Sequence, residues 1–226
     1  MIFSKKYLLP GFLFWVVAAQ VAAQSLQTVN KPIVFNEERR QLTLDYMREH
    51  YGLTPAEPTI APTMVVVHWT AYPTFEQSFD AFYPATLPDS RAGIRHAGAL
   101  NVSAHYLIDR DGTVYHLMAD TLMARHVIGL NHCAVGIENV GDGQDHPLTD
   151  AQFEANVRLI KQLANNYPID YVIGHHEYPR FIGHPLWKEK DPTYLTEKDD
   201  PGDAFMNRLR RRLSKLSLKE VPLPTK

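Results

Sequence analysis

The run Met64-Val65-Val66-Val67 constrains this chain more than any other stretch. An unbroken apolar, β-branched segment has no polar side to turn to water, so it predicts a strand buried on both faces. Such a strand must be covered from both sides. In a chain of 226 residues this predicts one α/β (α+β mixed) domain, a central mixed β-sheet flanked by helices. His68 follows the run directly, so a polar, titratable group stands where the strand stops.

The remaining elements are read from local signals. Asn36 is placed to cap a helix from about Glu37 to Tyr51, with two glutamates in its first turn. Pro55, Pro58 and Pro62 predict an extended connector, and Phe75 to Tyr83 a short helix. Residues 84–104 read as a surface loop. His105 to Asp109 and Thr113 to Met118 flank Arg110-Asp111-Gly112, which predicts a hairpin, and Cys133 to Val140 predicts another strand. Thr149-Asp150-Ala151-Gln152 is a capping box. It opens a helix to about Asn166 with Phe153, Val157, Ile160 and Ala164 as its core stripe. Tyr171-Val172-Ile173 is a strand stopping at Gly174-His175, and residues 177–199 are a long loop. Pro201 suits the first position of a final helix, whose end at Arg208 to Lys219 is basic.

The N-terminus reads as an export signal. Lys5 and Lys6 precede an apolar stretch from Tyr7 to Ala19, and Val21-Ala22-Ala23 supplies the small residues of a cleavage site. The expected organisation is a signal peptide over 1–23, an N-terminal extension with one helix over 24–61, a main domain over 62–218 and a tail over 219–226. One cysteine, Cys133, excludes an internal disulfide, and none lies near the cleavage site for lipidation. These features predict a periplasmic or secreted protein with no transmembrane anchor after cleavage. A net charge of −2, with no basic balance over the chain, argues against a nucleic-acid partner. The chain is expected to act as a monomer.

Among the 11 histidines, two close apolar strands: His68 and His175. Asp200 stands at a loop-to-helix junction. Two imidazoles and a carboxylate fixed at element ends would leave an open coordination position, as catalytic zinc requires. Each also fits a plainer role: a strand-end histidine, a turn histidine beside a competing His176, and a helix cap. In Ala134-Val135-Gly136-Ile137-Glu138, alternation puts Ala134, Gly136 and Glu138 on one face, so near-absent side chains leave room beside a carboxylate. That carboxylate can serve as a general base, or it can be a half-exposed strand glutamate. Lys198 can face a developing oxyanion, or be an ordinary loop lysine.

Five stretches then occur in order: Val-Val-Val-His68-Trp-Thr, Ser103-Ala104-His105-Tyr-Leu-Ile-Asp-Arg-Asp-Gly112, Val135-Gly-Ile-Glu138, Ile173-Gly-His175 and Lys198-Asp-Asp200-Pro-Gly202. This order resembles the type 2 N-acetylmuramoyl-L-alanine amidases, the AmpD-type group, whose fold is shared with peptidoglycan recognition proteins. The resemblance covers roughly residues 62–207. It implies a Zn²⁺ held by His68, His175 and Asp200, Glu138 as catalytic base, and Lys198 stabilising a tetrahedral intermediate. It also implies His126 and, more loosely, Asn131 as substrate-groove residues, with peptidoglycan or a muropeptide as substrate. The implied reaction is hydrolysis of the amide between the lactyl group of N-acetylmuramic acid and L-alanine. Members of this fold that lack a ligand bind peptidoglycan without cutting it, and here all three ligand positions are filled. A peptide-cutting zinc enzyme with His-Glu-x-x-His is disfavoured, since His175-His176-Glu177 does not match that spacing. The chain departs from some members in having Ala104 where a tyrosine stands. Cys133 is not at the place of the cysteine that other members use as third ligand. The long stretch to Lys198 carries Tyr178, Phe181, Trp187 and Tyr194, which either wall the groove and stack on sugar or peptide or pack the loop for stability.

Overall fold

The computed structural model describes residues 26–223, so the expected signal peptide lies outside the described residues. Among the described residues six strands form one sheet: β1 (Thr28–Asn30), β2 (Met64–Trp69), β3 (Tyr106–Ile108), β4 (Val114–His116), β5 (Ala134–Asn139) and β6 (Tyr171–Gly174). Their spatial order is β1-β4-β3-β5-β2-β6. β2 is parallel to both β5 and β6, β3 is parallel to β5, and only the β3–β4 hairpin is antiparallel. The run of valines is therefore central and buried on both sides, with Met64 to Val67 fully shielded from solvent.

Four helices among the described residues cover this sheet: α1 (Glu37–Tyr51), α2 (Phe75–Phe82), α3 (Asp150–Asn166) and α4 (Asp203–Arg212). The Asn36 side chain accepts from the Arg39 N–H at 3.0 Å to start α1. Thr149 and Gln152 bond each other's backbone N–H groups to start α3. On one face of the sheet, Val65, Val67, Val135, Ile137 and Val172 pack against Phe153, Val157 and Ile160 of α3 and Met206 and Leu209 of α4. On the other, Met64, Val66, Ala134 and Ile173 meet Tyr46, Met47 and Tyr51 of α1.

Three expectations are corrected. The extension expected to hold one helix also holds a strand: Thr28–Asn30 pairs parallel with β4, and Ile33 is buried. The last helix begins at Asp203 behind Gly202, so Pro201 precedes it rather than opening it. Asp200 is held out of that helix because its carbonyl accepts from the His176 N–H at 3.0 Å and from the His176 ring. Within the expected loops, residues Asp89–Ala97 and His175–Phe181 wind into 3-10 turns. Among the described residues no helix is long and apolar enough to cross a membrane.

Candidate active site

The sheet register assembles the site. His68 of β2 stands opposite Glu138 of β5. Val67 stands opposite Gly174 of β6, so His68 and His175 leave the sheet side by side. These strands are parallel and end together, and the C-terminal edge of such strands is where α/β folds place their ligands. The loop before α4 then brings Asp200 to the same edge.

The donor atoms converge closely. His68 Nδ1 lies 2.9 Å from His175 Nδ1 and 3.3 Å from Asp200 Oδ2, and His175 Nδ1 lies 3.2 Å from the same oxygen. All three residues are buried. A tetrahedral zinc with bonds of roughly 2.0–2.1 Å separates its ligand atoms by little more than these distances. The donor set therefore fits such an ion at a point between the three atoms. His176, the competing neighbour, turns away, with its Nδ1 on the Asp200 carbonyl and its Nε2 3.0 Å from Asp203. Glu177 beside it is occupied by the Gly174 N–H, Arg180 and Arg210, which removes it as a metal ligand.

Electrostatics follow from burial. Burial and the neighbouring His175 lower the His68 imidazole to about 4. Burial alone would raise the Asp200 carboxyl, yet the rings of His175 and His68 hold it below the usual carboxylate range. Glu138 moves the other way: burial first, then the nearby Asp200, push its carboxyl well above the ordinary range. Its Oε1 lies 4.0 Å from His68 Nδ1, and its buried Oε2 has no hydrogen-bond partner among the described residues. A basic, unpaired carboxylate oxygen beside three metal donors is a group poised to take a proton.

These groups line a groove of about 600 Å³. Lys198 stands exposed on its wall, with its charge acting on both His68 and Glu138. His126 is buried at the groove floor, 3.1 Å from His68 Nε2. Asn131 borders the same groove, and its side chain braces the wall. It is fully buried, its Oδ1 accepting from the His126 and Val127 N–H groups and its Nδ2 donating to the Tyr51 hydroxyl. Of the aromatic residues in the long loop, Tyr178 and Phe181 are packed into the core and Trp187 lies over Gly129. Only Tyr194 lines the groove. Sequence reasoning missed Tyr46, Arg91 and Arg125, which also line it. Arg125 ties the wall together, donating to the carbonyls of Ile94, Gly98 and Leu100 and to the Tyr194 hydroxyl. Its place beside His126 was the one available signal; Arg91 sits in an irregular segment and had none.

The family described as N-acetylmuramoyl-L-alanine amidase matches residues 58–203, a span that holds every groove-lining residue named above except Tyr46. The 1,6-anhydro-N-acetylmuramyl-L-alanine amidase AmpD of Enterobacter cloacae is 30% identical over 187 residues, covering 76% of this chain and 90% of that protein. The chain belongs to the N-acetylmuramoyl-L-alanine amidase family. The fold agrees. The amidase LysC from Clostridium intestinale URNW superposes with a TM-score of 0.53 at 18% identity, over 85% of this chain and 99% of that one. Peptidoglycan recognition protein-LE, solved with tracheal cytotoxin, gives 0.50 at 14% identity, over 78% and 94%.

Proposed function

We propose that this family member is a zinc-dependent amidase. Its reaction is hydrolysis of the bond between the lactyl group of N-acetylmuramic acid and L-alanine, in peptidoglycan or muropeptides. The observation that carries this reading is the meeting of His68, His175 and Asp200 beside the unpaired Glu138 oxygen on one groove floor. His68, His175 and Asp200 would hold the ion. Zinc supplies Lewis acidity, polarising an amide carbonyl and making water acidic near neutral pH.

The chain's own groups do the rest. Glu138, with its raised basicity, takes a proton from the attacking water and returns it to the alanine nitrogen as the C–N bond breaks. A lactyl carboxylate and a free peptide amine leave. The Lys198 ammonium at the groove wall faces the negative charge that develops on the carbonyl oxygen. The catalytic unit runs over residues 62–218, and the helix of the 24–61 extension adds Tyr46 to the groove. With an export signal over 1–23, the enzyme would work in the periplasm or outside the cell, as a monomer in wall turnover or recycling.

The test is digestion of purified peptidoglycan and of soluble muropeptides, with and without a chelator, read by mass spectrometry. Stem peptides beginning with L-alanine, lost on chelation and restored by zinc, are the expected result. Zinc-loaded protein that holds peptidoglycan but releases no peptide would make it a binding module instead.

A further inference from the structure

We propose that His126 is a positioning residue for the metal ligand His68, selecting by hydrogen bonding which nitrogen of His68 faces the metal. This rests on the metal site proposed above and gives His126 a task other than reading substrate.

The argument runs from a carbonyl inward. His126 Nε2 lies 3.2 Å from the Ala134 carbonyl oxygen. A carbonyl only accepts, so Nε2 carries the hydrogen. In a neutral ring Nδ1 is then a bare lone pair, and Nδ1 lies 3.1 Å from His68 Nε2. His68 Nε2 must therefore donate. That leaves the lone pair of His68 on Nδ1, the atom directed at His175 and Asp200. The chain Ala134 carbonyl, His126, His68 thus fixes the tautomer that a metal needs.

Three features of the fold serve this chain. The first is space: a Cβ on Gly136 would lie 2.8 Å from His126 Cγ, so the ring occupies the room that a side chain on β5 would take. The second is the backbone of His126, pinned by the Asn131 carboxamide, itself held by the Tyr51 hydroxyl. The third is the opposite end of His68, whose carbonyl accepts from Asn139 Nδ2 at 2.9 Å. His68 is thus held at its backbone carbonyl and at its outer ring nitrogen.

The test measures zinc affinity by competition with a chelator, the absorption spectrum of the cobalt-substituted protein, and the KM and kcat for a muropeptide. His126→Leu, which fills the space without an acceptor, and Gly136→Ala, which pushes the ring aside, should each weaken zinc binding by roughly 10–100-fold. Both should alter the cobalt spectrum while KM stays near wild type. His126→Asn, with an oxygen near the position of Nδ1, should keep most of the affinity. His126→Gln, which reaches the Nε2 position instead, should not. Should Leu prevent folding, as judged by melting of the metal-free protein, the Asn and Gln pair decides. Wild-type zinc affinity in Leu or Gln together with a raised KM overturns the proposal and makes the ring a substrate reader. A wild-type protein that binds zinc but cuts neither peptidoglycan nor muropeptide defeats the amidase reading alone, and the affinities still decide on His126. A wild-type protein that binds no zinc defeats both.

Discussion

The two faces of the central sheet come from the same strands, one residue out of step, and they are put to different uses. Val65, Val67, Val135, Ile137 and Val172 are apolar and closed over by α3 and α4. The opposite face begins in the same way, with Met64, Val66 and Ala134, and then changes character toward the strand ends. There it carries His68 and Glu138, with Gly136 between Ala134 and Glu138. The pleat thus separates stability from chemistry at atomic distance. It also shows what the chemical face gives up: a glycine stands at a central strand position where a β-branched residue would pack better, because His126 occupies the space.

The largest test of this division uses two adjacent residues. Glu138→Gln removes the base and keeps the volume. Amidase turnover should fall by about 10²–10⁴-fold, with zinc content unchanged. Turnover within tenfold of wild type would remove Glu138 from the mechanism. Burial holds the Glu138 carboxyl high, so the variant should not lose stability and should melt at or above the wild-type temperature at neutral pH.

Ile137→Ala is the mirror experiment. The side chain is fully buried against α3 and α4. Its truncation should cost about 2–5 kcal/mol in denaturant unfolding, while kcat at a temperature where the variant stays folded should be near wild type. A comparable loss of kcat would mean that the two faces are mechanically coupled and that the comparison fails.

Acid should act through the chemical face. His105 is fully buried, its Nδ1 accepting from the Gly136 N–H and its Nε2–H donating to the Leu122 carbonyl. Burial lowers its pKa from 6.5 to about 4. As pH falls through 6.5 the unfolded imidazole takes a proton that the folded ring refuses until about 4. The unfolded state then binds more protons, so stability falls with falling pH across that window, and the loss is complete below it. His68 and His126 act in the same direction. Melting temperature against pH should be flatter in His105→Gln than in wild type; equal slopes would clear His105.

Much of the apolar face was legible in the sequence because its signals are local. The valine run, the capping box at Thr149 and the stripe from Phe153 to Ile160 each declare themselves within a few residues. The chemical face was legible only as scattered candidates. That His68 stands beside Glu138 depends on strand register between distant segments, which no local pattern encodes. β1 has three exposed residues and exists only because β4 offers an edge. Asp200-Pro201 follows the local grammar of a helix start, and the bonds from His176 override it. The small residues beside Glu138 correctly signalled open space, but not that a histidine from another segment fills it. Asn131 was legible as a polar residue near the groove, yet its carboxamide serves the backbone of the loop that carries His126.

The smallest effects sharpen the comparison at the helices that cover each face. Asn36 caps α1, over the chemical face, and Thr149 caps α3, over the apolar one. Either residue changed to alanine should cost about 1 kcal/mol, since each leaves a first-turn N–H without its side-chain acceptor. Neither should change zinc affinity or KM. Capping effects fade within the first turn, and the α1 residues that reach the site, Tyr46 and Tyr51, lie in its second half. Hydrogen exchange should therefore quicken at the first-turn amides of the mutated helix alone. Faster exchange at Tyr46 or Tyr51 in Asn36→Ala, with weaker zinc binding, would show that α1 acts as one rigid wall of the site and that its N-terminal cap belongs to the chemical face after all.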